Sequence, residues 1–215
     1  MTYYGDREHC YRCYRPKSSC MCEHIKSFDT DTKFVILMHP KELKKVKNNT
    51  GRFTHLSLNN SHLFVGIDFS NHAKINEIIA SHDSYILFPS EDALNLSDTK
   101  PQSKNKKIAI FLIDSTWACT KKMFTQSTNL QKLKHMSFTT TEESRYEIKE
   151  QPNARYLSTI ESTLVVLKAL NKHKVEAIQE ESLSGFLNPF LEMVAYQKKL
   201  IDKGNAVRFR KKPTC

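Results

Sequence analysis

Short apolar runs alternate with polar or amphipathic stretches along most of the chain. Five of these runs have the length of β-strands, and they lie at residues 34–39, 62–67, 84–88, 108–113 and 134–138. The run at 108–113 is the most apolar and does not alternate with polar residues, which is typical of a strand buried on both faces of a parallel sheet. The pattern therefore predicts a parallel sheet with residues 108–113 at its centre.

Several of the stretches between these runs have the pattern of helices. The predicted helices are residues 73–81, a segment that carries 118–124, a segment that begins at Ser158, and about 176–203. Ser158 and Glu161, three residues later, form the capping-box pattern that starts a helix. We expect a bend in the last helix near Pro189, because proline lacks a backbone N–H. This alternation of strands and helices predicts an α/β fold.

The composition excludes two common designs for binding nucleotides. The 215 residues include only five glycines, and no two of them are close together. A G-x-G-x-x-G loop or a Walker A loop needs at least two closely spaced glycines. No apolar run has the length that would cross a bilayer, and the N-terminus has no apolar segment of the kind found in signal peptides. We therefore expect a cytoplasmic protein without a membrane partner.

The charge of the chain points to a polyanionic partner. The sequence has 33 lysines and arginines against 23 aspartates and glutamates, which gives a net charge of +10. Basic side chains bind a phosphate backbone by releasing its counterions, so this surplus favours a nucleic acid. The alternative is a basic surface that takes no part in binding.

Four of the six cysteines lie within thirteen residues, at Cys10, Cys13, Cys20 and Cys22. In a chain without a secretion signal, such clustering favours metal binding over disulfides. Four thiolates satisfy a tetrahedral Zn²⁺, and the two short-spaced pairs let two turns converge on one ion. The alternatives are a redox dithiol and replacement of one ligand by a flanking histidine, either His9 or His24.

Basic and aromatic side chains surround the four cysteines. They are Arg12, Arg15, Lys17, Lys26, Tyr3, Tyr4, Tyr11 and Tyr14. Such side chains on a rigid turn suit contacts to RNA phosphates and unstacked bases, but they also suit packing of the turn itself. We divide the chain into a zinc-binding module at 1–30, an α/β domain at 31–205 and a basic tail at 206–215.

Two polar clusters follow predicted strands, where open α/β sheets bind their ligands. Asp114-Ser115-Thr116-Trp117 comes after the central strand, and His39-Pro40 comes after the first. Asp114 is a candidate general base, with capping of the following helix as the alternative. Taken singly, Trp117 is more often a core residue than a ligand platform, and His39 is more often a packed histidine than a catalyst.

The start of the helix at Ser158 is a third candidate site. Free amides and hydroxyls at a helix N-terminus suit a carboxylate or a ribose, although an ordinary capping box explains the same residues. Further basic residues either line an anionic groove or form a solvated face, and they are Lys121, Lys122, Arg145, Lys149 and Arg155.

Taken together and in order, five motifs resemble the DTW-domain family. They are Cys-x-x-Cys-x-Arg-Pro-x₃-Cys-x-Cys from Cys10, His39-Pro40, Asn49-Thr50-Gly51-Arg52, Leu112-Ile113-Asp114-Ser115-Thr116-Trp117, and Ser144-Arg145-Tyr146 followed by Leu157-Ser158-Thr159-Ile160-Glu161. The resemblance covers nearly the whole chain, from about Cys10 to Pro189. The family often has Gly, Arg and Ala where this chain has Ser115, Lys149 and Ser162. Lys149 in place of Arg would lose a bidentate clamp on a phosphate or carboxylate.

The resemblance implies a tRNA-uridine aminocarboxypropyltransferase, which moves the 3-amino-3-carboxypropyl group of S-adenosylmethionine to N3 of a tRNA uridine. It implies a fold related to SPOUT enzymes, with a mostly parallel, trefoil-knotted sheet, although nothing in the sequence itself shows a knot. Asp114 would be the catalytic base. S-adenosylmethionine would lie against His39, Pro40, Leu112, Ser115, Thr116, Trp117, Leu157, Ser158, Thr159 and Glu161, and tRNA against Arg52, Lys121, Lys122, Arg145 and Arg155.

Two other functions compete with this one. A SPOUT-type RNA methyltransferase would use the same donor but transfer its methyl group, and a non-catalytic zinc protein would bind RNA without the donor. The sequence is compatible with a monomer and with a homodimer.

Overall fold

The computed structural model describes residues 8–44, 49–104, 106–148 and 156–202. Within these ranges six strands form one sheet, in the order β2-β1-β5-β3-β6-β4, and every neighbouring pair is parallel. The strands are β1 Lys33–Met38, β2 Ser61–Val65, β3 Asp83–Leu87, β4 Leu94–Asn95, β5 Ile108–Asp114 and β6 Lys134–Ser137. The α/β class and all five predicted strands are confirmed, while the knot implied by the resemblance stays a prediction. The two-residue β4 was not predicted, since so short a segment has no hydrophobic pattern.

Strand β5 lies between β1 and β3, as the apolar run predicts. Ile110 and Phe111 are fully buried, which is expected for a strand covered on both faces. The parallel register pairs Met38 with Asp114, so β1 and β5 end at the same level. The backbone N–H of His39 then donates to the carbonyl of Asp114 at 3.1 Å. The two polar clusters predicted at strand ends are therefore neighbours.

Seven α-helices connect and cover the strands in the described ranges. They are α1 Pro40–Leu43, α2 Thr50–Ser57, α3 Ala73–Ser81, α4 Trp117–Gln126, α5 Thr159–Lys172, α6 Glu180–Gly185 and α7 Asn188–Asp202. Helices α3, α4 and α5 were predicted, and none was predicted at α1 or α2. No helix of the described ranges is long and apolar enough to cross a membrane.

The single helix predicted at 176–203 is wrong, because the segment forms two helices, α6 and α7. Glu176 lies before α6 and is buried. Its carboxylate accepts bonds from the backbone N–H groups of Asp31 at 3.0 Å and Thr32 at 2.6 Å. Pro189 lies in the first turn of α7, where its missing N–H costs no helical bond. The proline thus begins a helix rather than bending one.

Apolar side chains form one buried cluster on each face of the sheet. One cluster involves α3 and α4, and the other involves α2, α5 and α7. Met21 and Ile25 from the cysteine-bearing segment are buried in the second cluster. The N-terminal segment therefore packs directly on the core of the α/β domain. The predicted boundary at residue 30 stays a prediction, and the predicted tail at 206–215 lies outside the described residues.

Candidate functional site

The sulfur atoms of Cys10, Cys13, Cys20 and Cys22 all lie within 4.8 Å of one another. The Cys10–Cys22 and Cys13–Cys20 sulfurs are 3.6 and 3.7 Å apart. Four thiolates bound at about 2.3 Å around a tetrahedral zinc lie about 3.8 Å apart, so the arrangement fits Zn²⁺. Within the described residues, no histidine belongs to this group, and His9 and His24 are not needed as ligands.

Tight local turns bring the four sulfurs together. The backbone N–H of Tyr14 donates to the carbonyl of Cys10 at 2.7 Å, and that of Cys10 donates to the carbonyl of Arg15 at 2.8 Å. Backbone amides of Cys13 and Arg12 bond the Cys10 thiol and lower its pKa to about 6. Burial instead raises the pKa of the Cys20 and Cys22 thiols, so it is the geometry of the four sulfurs, rather than their pKa values, that supports a metal site.

The basic and aromatic residues around the cysteines divide into different environments. Arg15 is only 1% exposed, and its Nε donates to the carbonyl of Ser19 at 2.6 Å. The suggestion that Arg15 contacts RNA is therefore wrong, because its side chain packs inside the protein. Tyr11, by contrast, is 93% exposed. Tyr3 and Tyr4 lie outside the described residues.

Tyr14 is half-exposed and lies under a basic residue of the α/β domain. The guanidinium carbon of Arg52 is 4.3 Å from the centre of the Tyr14 ring, which is a cation–π contact. Burial lowers the pKa of Arg52 from its ordinary value. Tyr14 also has a φ of 59°, a left-handed conformation that is uncommon for a bulky residue.

Asp114 ends β5 and is almost fully buried. Its Oδ1 accepts a bond from the hydroxyl of Thr159, the first residue of α5, at 2.6 Å. Capping of the following helix was the alternative role of Asp114, but the N-cap of α4 is Thr116. The carboxylate instead ties the end of β5 to the start of α5.

Gly51 allows the first turn of α2 to approach this carboxylate. A Cβ atom at position 51 would lie 2.4 Å from Asp114 Oδ2, which is far inside van der Waals contact. Asn49 caps the helix, because its Oδ1 accepts a bond from the backbone N–H of Arg52 at 2.8 Å. An Asn that starts a helix is a recognised signal, so α2 was open to prediction from the motif that contains it.

Glu161 holds two distant segments together. Its carboxylate accepts bonds from the Ser158 amide at 2.8 Å, the Ser158 hydroxyl at 2.6 Å, the Ser144 hydroxyl at 2.9 Å and the Arg145 amide at 2.7 Å. The predicted capping box is confirmed. Since the carboxylate is buried and serves four donors of the protein, its geometry suits a structural role more than contact with a ligand.

Tyr146 lies near both the Glu161 carboxylate and Arg15 of the cysteine segment, since the charges of both act on its phenol. It is buried, and its ring packs edge to face on that of Phe190, with 5.3 Å between centroids. Burial, and after it the nearby carboxylate of Asp114, raise the pKa of the Tyr146 phenol, whereas the charge of Arg15 lowers it. The motifs at 144–146 and 158–161 and the buried Arg15 therefore lie in one region.

Trp117 is 51% exposed, so it is not the core residue that was the alternative to a place against the donor, which stays a prediction. Its ring centroid lies 5.2 Å from that of Tyr156, another exposed aromatic residue. Trp117 follows Asp114 by three residues, and Tyr156 precedes Thr159, which bonds Asp114, by three residues. Sequence reasoning did not select Tyr156. An exposed aromatic pair beside a buried carboxylate has the character of a binding surface rather than of a core.

The remaining predicted site residues occupy varied positions. His39 is buried and caps α1 by accepting a bond from the Lys41 amide at 3.1 Å, so it is a packed histidine. Leu112 is buried in the core. The partly exposed ones are Pro40, Arg52, Ser115, Thr116 and Leu157, and the fully exposed ones are Lys121, Lys122 and Arg145. Lys149 and Arg155 lie outside the described residues.

The comparisons with known proteins agree on one family. A family model described as the DTW domain matches residues 7–198. A protein from Mus musculus named tRNA-uridine aminocarboxypropyltransferase 2 is 29% identical over 210 residues, which are 95% of this chain and 67% of that protein. Proteins of the same name from Macaca fascicularis and Drosophila melanogaster are 28% and 29% identical over 95% and 76% of this chain, and 67% of each is covered.

Proposed function

The chain belongs to the DTW domain family, and we propose that it transfers the 3-amino-3-carboxypropyl group of S-adenosylmethionine to N3 of a uridine in tRNA. The names of the related proteins support tRNA uridine as the acceptor. A cytoplasmic location, as expected from the sequence, suits this substrate.

One observation supports the proposal most. Segments far apart in the chain meet around one buried carboxylate at the carboxyl ends of two neighbouring parallel strands. Thr159 bonds Asp114, Gly51 lies against it, and the Asp114 carbonyl accepts a bond from His39. Open α/β sheets bind their ligands at this edge. Capping of the end of β5 would need only the bond from Thr159 of α5, and not the close approach of Gly51 in α2 to the same carboxylate.

In the proposed reaction, Asp114 accepts the proton from N3 of the uridine. The N3 electron pair forms a bond to the γ-carbon of the aminocarboxypropyl group, and the bond between that carbon and sulfur breaks. Sulfur takes the bonding pair and leaves as methylthioadenosine, so the charge of the sulfonium is neutralised. The hydroxyl of Thr159 bonds the Asp114 carboxylate and so orients the base for the proton transfer.

The donor molecule has to be held so that its γ-carbon, rather than its methyl group, faces the acceptor. We assign this task to Ser115, Thr116 and Trp117 after β5, with the N-terminus of α5 for a carboxylate or a ribose. His39, Pro40, Leu112 and Leu157 would support them from the same edge. Glu161 would act as a positioning residue, since its oxygens already accept bonds from four donors of the protein.

Zn²⁺ and tRNA complete the proposal. The four cysteines would hold one structural zinc ion, which supplies no chemistry to the reaction but fixes the segment that carries Arg15. The phosphates of the tRNA would make most of its contacts, and these contacts would be with Arg52, Lys121, Lys122, Arg145 and Arg155.

Mass spectrometry of nucleosides tests the function directly. Unmodified tRNA is incubated with the protein and S-adenosylmethionine, digested, and searched for modified uridine. We expect the mass gain of an aminocarboxypropyl group, together with methylthioadenosine in equal amount. The mass gain of a methyl group would instead indicate a methyltransferase. Tight binding of tRNA with no modification and no affinity for S-adenosylmethionine would indicate a non-catalytic RNA-binding protein.

A further inference from the structure

A cavity of about 400 Å³ lies between the cysteine segment and the α/β domain, and its lining consists of Cys13, Tyr14, Leu43, Asn49 and Arg52. This volume lies in the range of pockets that take small organic groups. Neither the residues that we assign to the donor nor the basic face of α4 belongs to it. The cavity therefore needs a separate explanation.

The cavity lies beside the proposed reaction centre. Asn49 and Arg52 line it, and they flank Gly51, whose backbone touches the carboxylate of Asp114. The first turn of α2 therefore lies between the cavity and Asp114, the candidate base. An RNA nucleotide in the cavity would adjoin a nucleotide at Asp114.

The chemistry of the walls suits a nucleotide. Tyr14 is 48% exposed, so its ring offers surface to a base, while the Arg52 guanidinium above it is a planar cation that binds phosphate and also stacks on bases. Leu43 adds an exposed apolar contact. Arg12, two residues before Tyr14, is exposed and adds positive charge, in a chain whose net charge is +10.

The backbone of Tyr14 adds an independent observation. Its φ of 59° is a conformation that glycine adopts without cost and that a bulky residue adopts at a cost of about 1–3 kcal/mol. The sequence nevertheless has a tyrosine here, and its ring lies half-exposed under Arg52. Strained residues of this kind cluster at functional sites.

We propose that the cavity lined by Tyr14 and Arg52 is a subsite for an unpaired nucleotide of the RNA substrate, with the base against the part of the Tyr14 ring that Arg52 leaves exposed and the phosphate bound by Arg52. This inference rests on the proposed function for the identity of the polymer. It gives the cysteine segment a direct part in RNA binding, in addition to its structural role.

The test uses Tyr14→Gly in the full chain, because glycine removes the ring and also relieves the backbone, so misfolding is not expected. We expect tRNA affinity, measured by fluorescence anisotropy, to fall about tenfold or more, since stacking on one aromatic residue is worth about that factor. Tyr14→Phe keeps the ring and should bind nearly as well as the wild type. Zinc content and S-adenosylmethionine affinity should not change.

Tyr11→Ala is the matched comparison, since Tyr11 belongs to the same segment and is more exposed but does not line the cavity. An equal loss for Tyr11→Ala would show a diffuse aromatic surface and overturn the proposal. Unchanged tRNA affinity of Tyr14→Gly, or loss of S-adenosylmethionine affinity instead, would also overturn it. These measurements of binding need no turnover. The subsite proposal can therefore be overturned while aminocarboxypropyl transfer is still observed, and it can hold even if no transfer is observed.

Discussion

The cysteine cluster and the Asp114 edge of the sheet are two binding regions that the chain builds in opposite ways. The four sulfurs come from thirteen consecutive residues, and local turns bring them within 4.8 Å. The Asp114 edge draws on segments as distant as Gly51 and Thr159, which meet only through the sheet and its helices. The first region depends on a short piece of chain that could hold a metal ion, and the second depends on the whole fold.

The two regions nevertheless share one core. Met21 and Ile25, next to the cysteines, are buried against side chains of α5 and α7, and Arg15 is buried at the same junction. A metal-binding segment that carries core residues is more than an appendage. Damage to the cluster should therefore reach the Asp114 edge, and the following changes measure how far.

Removal of the metal should have the largest effect. In Cys10→Ser, the zinc content should fall from about one ion per chain to almost none. Residues 8–25 would then lose their fold, and exposure of Met21 and Ile25 to water removes about 3–6 kcal/mol of stability. Elemental analysis and thermal unfolding measure both effects, with the exposed Ser18→Ala as control. A stable, zinc-loaded Cys10→Ser protein would contradict the tetrathiolate assignment.

Asp114→Asn should remove most of the transfer activity without unfolding the protein. The amide keeps an oxygen that accepts the Thr159 bond but does not take a proton, so single-turnover transfer should fall by about 10²–10⁴-fold. Calorimetry should find S-adenosylmethionine affinity close to that of the wild type.

Trp117→Ala provides the contrast, because its half-exposed ring contributes little to the core. It should lose donor affinity and keep its thermal stability. Near-normal transfer by Asp114→Asn would remove this residue from the role of base, and equal losses of affinity and rate would make it a binding residue.

Gly51→Ala should damage the Asp114 edge alone. The added Cβ would meet the carboxylate at 2.4 Å, so the first turn of α2 or Asp114 itself has to move, at a cost of about 1–3 kcal/mol. Thermal unfolding and transfer rate should both decline while the zinc content stays constant. Gly185→Ala is the matched control, since its Cβ would meet nothing closer than 3.6 Å. Equal behaviour of the two variants would show that the close approach is unimportant.

Removal of surface charge should have the smallest effect. The double variant Lys121→Ala, Lys122→Ala should weaken tRNA binding at low salt and reduce the slope of log affinity against log salt by about one for each phosphate that the protein no longer neutralises. Lys74→Ala, which removes a charge already paired with Glu77, is the control. If the slope does not change, these lysines belong to a solvated face.

The sequence was informative where the signal is local. The spacing of the cysteines, the apolar run of β5 and the capping box at Ser158 each depend on a few neighbouring residues, and the structure agrees with all three. The resemblance to a family added the association of Asp114 with the segment at Ser158, which no local pattern reveals.

Long-range contacts account for what was missed. Arg15 looks like any surface arginine until the core that covers it is known. Glu176 is buried outside any helix because it bonds Asp31 and Thr32, which lie 145 and 144 residues away. Helices α1 and α2 are short, and α2 packs on α5 and the core, contacts that a local pattern does not show.

The clamp of Glu176 on the start of β1 also sets the order in which the molecule can mature. On the ribosome, the first 25 residues can close around a metal ion as soon as they emerge, since all the ligands are close in sequence. The proposed reaction centre at Asp114 would have to wait for Thr159 of α5, and the start of β1 for Glu176, because contacts of high sequence separation form slowly. Under the proposed function, a nascent chain would therefore complete its metal site before its reaction centre.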